Sequence, residues 1–281
     1  PLPGTPPQRV AARLFVVSDI HSDYEENMEW CRSLSDGRFL RDTLIVAGDV
    51  SHSLDVLRET LQILVAAFDE LWFVPGNHDL WVWTTSTGSR RNDVPGGEDS
   101  LTKLRQTMEL CAALGVRTVP GYSSAGVIVV PLLAWHHLSW DTEPEVTGWG
   151  GIPPCQMVMT DFRRTAFPAR MPCGSDALAE HFDHLNDADA RGGSAGRSER
   201  GSGRGSERGS ERGSEGRSLA SRVAALRTAH PGAPVITASH FVPSLQLTPE
   251  KRFLLLPTLN KAVGSVRRLR LEPSTSRPAH P

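Results

Sequence analysis

Three short apolar runs punctuate the first third of the chain, and each ends on polar residues. Leu14-Phe15-Val16-Val17 leads into Ser18-Asp19-Ile20-His21, Leu44-Ile45-Val46-Ala47 into Gly48-Asp49, and Leu71-Trp72-Phe73-Val74 into Pro75-Gly76-Asn77-His78-Asp79. Such runs, stopped abruptly by turn residues, read as strands buried on both faces. Helical patterns lie between them. Residues 25–34 offer Met28, Trp30, Cys31 and Leu34 to a core, while Leu54, Leu57, Leu61, Leu64, Val65 and Phe68 form one stripe behind a cap at Ser51 or Ser53. The order strand–helix–strand–helix–strand predicts an α/β domain with neighbouring parallel strands.

Further along, 84–100 reads as a long polar loop and 101–114 as a helix stopped by Gly115. Short strands are expected at 116–119, 127–130 and 235–238; Pro131 argues against a central position beyond it. Helices are expected over 176–185 and 219–228, with 153–172 irregular. Residues 191–218 are Gly, Ser, Arg and Glu almost without exception, which predicts a disordered insertion. An Arg/Gly-type RNA-binding segment is the alternative; the interspersed Glu and absent aromatics argue against it. Patterned structure resumes after it, so both flanks belong to one domain, 9–270, with disordered tails at 1–8 and 271–281.

Composition narrows the reading only modestly. A chain of 281 residues, 39% of them hydrophobic, holds one sizeable core with room for insertions. A net charge of -2 gives no global basic field and argues against nucleic acid. No apolar run approaches the ~20 residues of a membrane span, and a cytoplasmic location is expected. The cysteines, Cys31, Cys111, Cys155 and Cys173, form no CxxC pair. Cys31 and Cys111 fall in helical patterns as buried thiols, and a Cys155–Cys173 bridge stays open as an alternative.

The polar residues behind the three runs are the candidate chemistry. Asp19-x-His21, Gly48-Asp49 and Asn77-His78-Asp79 are each, alone, ordinary turn or cap residues. At the ends of three adjacent strands they would bring carboxylate, amide and imidazole groups to one rim. With His240 after the strand at 235–238, the set resembles the calcineurin-like metallophosphoesterase superfamily, from about Leu14 to Gly264.

That resemblance implies a four-layer α/β/β/α sandwich with the active site at the strand ends. It implies two divalent metal ions (Mn, Fe or Zn): Asp19 and His21 on the first, Asp49 bridging both, Asn77 and His240 on the second. His78 would stabilise the transition state or protonate the leaving oxygen, and Asp79 would orient it. Two cations roughly 3.5–4 Å apart can clamp the attacking and leaving oxygens of a phosphoryl group and acidify a water between them. His78 is expected to act as a general acid titrating near working pH. Trp135-His136-His137-x-Ser139-Trp140-Asp141 either lines a substrate pocket, with His137 as the contact, or is a structural aromatic cluster. Asp141, Glu143 and Glu145 read as a solvated acidic run, and Trp81 and Trp83 as walls of the cleft or packing residues.

The resemblance has two departures. The family's last block, Gly-His-x-His, is not found; after His240 the next histidine is His280, in Pro-Ala-His-Pro, so the sandwich is expected to be incomplete at the C-terminus and its activity impaired. The phosphoprotein phosphatases of the superfamily carry Asp-Arg-Gly after the second block and Glu after Asn-His; here Val50-Ser51-His52-Ser53 and Asp79 stand there. The expected function is hydrolysis of a small phosphomonoester or phosphodiester by attack of a metal-activated hydroxide. The alternative is an inactive binding or scaffold protein that keeps the fold.

Overall fold

The computed structural model describes residues 12–82, 99–187 and 218–265. Strands β1 (Leu14–Val17), β2 (Thr43–Val46) and β3 (Glu70–Phe73) form a parallel sheet in that order. Parallel neighbours need crossovers, supplied by α1 (Glu25–Ser33) and α2 (Leu54–Ala67). The Ser53 side chain caps α2 by accepting the Val56 N–H. Leu57, Leu61 and Leu64 carry the α2 stripe into a core with Leu44, Val46, Phe73 and Cys31. Trp30 and Val65 lie one position off their helices' buried stripes and are exposed, contrary to the expectation for both. Helix α3 (Ser100–Leu114) adds Leu110 and Cys111 to the same core. It ends at Gly115, whose φ of 74° is the left-handed cap that glycine allows. Burial pushes the Cys31 thiol up to about 11 and the Cys111 thiol up to about 12, as expected of inert thiols.

Residues 116–119 form no strand. Arg117 alone bridges to β3, exchanging backbone hydrogen bonds with Leu71 and Phe73; Pro120 has no N–H with which to prolong a ladder. The second sheet is β4 (Gly121–Tyr122), β5 (Ile128–Pro131) and β6 (Val235–Ala238), with β5 central, antiparallel to β4 and parallel to β6. Pro131 is tolerated there because β4 pairs only with Ile128 and Val129, so its nitrogen faces no partner strand.

Short helices α4 (Cys155–Val158) and α5 (Asp161–Arg164) interrupt the stretch expected to be irregular, and α6 (Asp176–Asp187) and α7 (Leu219–Ala229) follow. Ile45, Trp72 and Val74 of the first sheet meet Val129 and Ala238 of the second. On the outer face of the second sheet, Leu219 and Val223 of α7 cover Ile128, Val130 and Leu132. Helix, sheet, sheet, helix is the expected sandwich. A fourth cluster joins Leu80, Trp135, Phe167, Leu178, Phe182 and Phe241 beside the turn after β3.

The alternative of a Cys155–Cys173 bridge is ruled out, and the reading of the acidic run needs correction. Cys155 and Cys173 are free thiols. The acidic run is not uniformly solvated: the buried Asp141 carboxylate lies 2.7 Å from Lys251 Nζ and the half-buried Glu143 accepts the Lys251 N–H, while Glu145 stays exposed and pairs with Lys261 at 2.7 Å. Those lysines return from more than a hundred residues away to pin the 251–262 turns, a pairing that local charge pattern cannot show. Trp83, most of the 84–100 loop, nearly all of the 191–218 insertion, both tails and His280 lie outside the described residues.

Candidate metal centre

Parallel strands deliver their C-terminal turns to one rim. Here the turns are zipped together beyond the sheet: Asp19 N donates to Gly48 O and His21 N to Asp49 O, each at 3.0 Å. Among the described residues, the non-glycine positions with positive φ are Asp19 (54°), His21 (47°) and Asp49 (56°). Left-handed backbone costs an L-residue roughly 1–2 kcal/mol, and it concentrates where a site needs a side chain aimed against local preference. All of these outliers are residues singled out from sequence as metal ligands.

Close approach explains the neighbouring glycines. A Cβ on Gly48 would lie 2.6 Å from His240 Nδ1, and one on Gly76 would lie 2.6 Å from Asp49 N and closer still to Asp49 Oδ1. Real side chains do not come so near, so only glycine lets the second and third turns interlock with His240.

Asp79 is the fastener of these turns. Its fully buried carboxylate accepts four backbone N–H groups: Gly76 at 2.8 Å and Asp49 at 2.9 Å on one oxygen, Val50 and Ser51 at 3.0 Å on the other. Both oxygens are thus turned to the backbone, not to the His78 ring that Asp79 was expected to orient. Burial raises the Asp79 carboxyl, against the pull of those N–H groups.

Asp49 sits beside it, also buried. Loss of solvation, reinforced by the Asp79 charge and opposed by His240, pushes its carboxyl up to about 7. Asp49 Oδ1 accepts the His78 N–H at 2.9 Å and lies 3.4 Å from His240 Nε2. Ligand atoms of His21, Asp49 and His78 lie within 4.8 Å of one another. His21 Nε2 is 4.0 Å from Asp19 Oδ1. His78 therefore stands among the candidate ligands, with Nε2 3.8 Å from Asp49 Oδ2.

The His78 ring is stacked on Trp81 at a centroid distance of 3.5 Å. Burial, then the neighbouring His21, pushes its imidazole down to about 4. That differs from the expected titration near neutral pH. A neutral ring still donates one N–H, so hydrogen bonding to a phosphoryl oxygen needs no protonated imidazole.

The other side of the rim is built by Asn77 and His240. His240 Nδ1 lies 2.9 Å from Ala47 O, and Nε2 lies 2.9 Å from Asn77 Oδ1. A carbonyl only accepts, so Nδ1 carries the proton, and Nε2 is left facing a second acceptor, Asn77 Oδ1. A cation between the two resolves that contact: ligands held at about 2.1 Å and near a right angle are about 3 Å apart. Fixing the far nitrogen on a backbone carbonyl is also how metal-binding histidines are oriented. Together with a buried carboxylate short of positive charge, these contacts fit a divalent-metal site.

Sequence reasoning missed Asp161, on α5 and almost fully buried. One of its oxygens accepts Asn77 Nδ2 at 2.8 Å and Trp81 Nε1 at 2.6 Å; the other lies 3.6 Å from His136 Nε2. No motif surrounds it, and Asn77 and Trp81 are some eighty residues earlier in the chain. His137, the expected substrate contact, is held by Ser139 Oγ and Asp176, each 2.9 Å from Nδ1, whereas its neighbour His136 joins the Asp161 network.

The calcineurin-like phosphoesterase family model matches residues 12–189, more than half of the chain. The chain belongs to that family. Membership implies divalent metal ions as cofactors. The acyl-carrier-protein phosphodiesterase PptH of Mycobacterium tuberculosis is 40% identical over 68 residues, 24% of this chain and 21% of that protein. The alignment thus spans about a fifth of the relative's length. The crystal structure of phosphopantetheinyl hydrolase PptH from the same organism covers 90% of this chain and 76% of its own, with a TM-score of 0.54 and 21% identity. That likeness places the fold with the metallophosphoesterases. Among the described residues no helix is long and apolar enough to cross a membrane.

Proposed function

We propose that this chain is a metal-dependent phosphoesterase that holds two divalent ions and hydrolyses a phosphate ester of a small group. The supporting observation is the convergence of His240 Nε2 and Asn77 Oδ1, 2.9 Å apart, beside the buried Asp49 carboxylate. In this reading Asp19 and His21 would hold one ion, Asn77 and His240 the other, and Asp49 would be shared between them. The ions supply Lewis acidity and neutralise charge that develops on the phosphoryl group. His78, fixed by its own N–H on Asp49 and by stacking on Trp81, presents its ring to a phosphoryl or leaving-group oxygen. Asp79 holds the Gly76 and Asp49 turns at the spacing this requires. The domain of 9–270 is one catalytic unit, working in the cytoplasm.

Similarity to an acyl-carrier-protein phosphodiesterase favours a phosphodiester, and specifically the ester joining a phosphopantetheine arm to a carrier protein. The test uses the chain stripped of metal and reloaded with Mn2+. Hydrolysis of bis(p-nitrophenyl) phosphate faster than of p-nitrophenyl phosphate, and release of the arm from a holo carrier protein seen by mass spectrometry, are expected. Equal rates for wild type and Asp49→Asn would refute the hydrolase and leave a phosphoesterase fold used for binding. Turnover of the monoester alone would refute the diester assignment.

A further inference from the structure

We infer that Asp161 is a positioning residue that sets, through one carboxylate oxygen, both the amide orientation of Asn77 and the ring plane of His78. The inference rests on the metallophosphoesterase reading and extends it to a residue outside every sequence block that suggested the family.

The geometry is specific. An asparagine amide can sit in either of two orientations that differ by a flip, and only one turns its oxygen toward a cation. An ionised carboxylate accepts and cannot donate. With Asp161 Oδ1 at 2.8 Å, the Asn77 nitrogen must face α5, which leaves Asn77 Oδ1 facing His240 Nε2. The flipped amide would set carbonyl oxygen against carboxylate.

The same Asp161 oxygen accepts the Trp81 indole N–H at 2.6 Å, which fixes the rotation of that side chain. Trp81 in turn is stacked on His78, with an interplanar angle of 28°. A candidate ligand and a candidate catalytic ring are therefore referred to one buried atom. The carboxylate carrying it is almost wholly shielded from water, so solvent does not screen the interaction. Its second oxygen is backed by the buried His136, which keeps the carboxylate from rotating freely.

Charge and hydrogen bonding can be separated by substitution. Asp161→Asn keeps a carbonyl acceptor for Asn77 and Trp81 and removes the charge. Asp161→Leu copies the branched outline and removes the acceptor. Mn2+ binding to the metal-stripped protein is measured by calorimetry, with unfolding of the metal-free form followed alongside. Loss of a residue that orients a ligand typically costs about 10–100-fold in metal affinity. The leucine variant is expected to lose at least about 10-fold at one site, and the asparagine variant to stay within about threefold of wild type. Trp81→Phe, which retains a ring over His78 and cannot lose the Asn77 contact, supplies the second arm. It is expected to bind Mn2+ within about threefold of wild type and to lower kcat several-fold with KM unchanged.

Wild-type affinity in Asp161→Leu overturns the proposal, as does an asparagine variant that falls as far as the leucine one. Should the leucine variant fail to fold, loss of Mn2+ affinity in Trp81→Phe, or an unchanged kcat there, overturns it instead. A wild-type chain that binds none of Mn2+, Fe2+ and Zn2+ refutes the phosphoesterase reading itself, an outcome distinct from all of these.

Discussion

Asp79→Asn is the sharpest test of how the rim is held. The substitution keeps size and shape but exchanges one carboxylate oxygen for an NH2 group. In the native structure four N–H donors converge on that carboxylate, two on each oxygen. Whichever way the new amide sits, one pair keeps an acceptor and the other pair faces donors. Each buried N–H left unsatisfied costs about 1–3 kcal/mol, so the gross loss is about 2–6 kcal/mol. Burial raises the Asp79 carboxyl, so removing its charge recovers part of this. The net loss is about 2–4 kcal/mol, large against the 5–15 kcal/mol of a typical domain. Urea unfolding of the metal-free protein at pH 7 should show a lower midpoint with little change in slope. Stability within about 0.5 kcal/mol of wild type, the scatter of neutral surface changes, would refute the role of Asp79 as the fastener.

Asp49→Asn should act in the opposite direction on the metal-free fold while abolishing Mn2+ binding. Its amide oxygen can still accept the His78 N–H, and a buried charge is gone. A carboxyl raised from 3.8 to about 7 binds its proton more tightly in the folded chain. Its contribution to stability is therefore full at low pH, declines as pH rises across that interval, and is level above it. The stability of Asp49→Asn relative to wild type should thus grow from pH 4 to 7, as read by paired urea titrations; a constant difference contradicts the burial account. Gly76→Ala forces a methyl group into Asp49, and calorimetry should find Mn2+ affinity reduced at least about 10-fold. Wild-type affinity there would show that the turn has room to move.

Much of the framework was legible because it rests on local pattern. The three apolar runs became β1, β2 and β3, and Ser53 and Gly115 bound their helices as residue type predicts. The juxtaposition of Asn77 with His240 followed from strand order, since both leave the ends of strands in packed sheets. What was not legible depends on long-range geometry. Asp161 looks like any acidic residue in a short helix until folding sets it against Asn77 and Trp81. Asp79 lies inside the recognised block, yet its backbone partners appear only once the second turn comes alongside the third. Asp141 and Glu143 read as a wet acidic stretch because their partner Lys251 is distant in sequence.

The left-handed backbone at Asp19, His21 and Asp49 bears on how this protein can be engineered. An optimiser that scores folding alone would replace each with glycine, relieving roughly 1–2 kcal/mol of conformational strain per position. Every such gain would erase a side chain assigned to the proposed metal centre. Consensus or computational hardening of this scaffold should therefore leave those positions untouched and seek its improvements on the outer helices, where tension and purpose do not coincide.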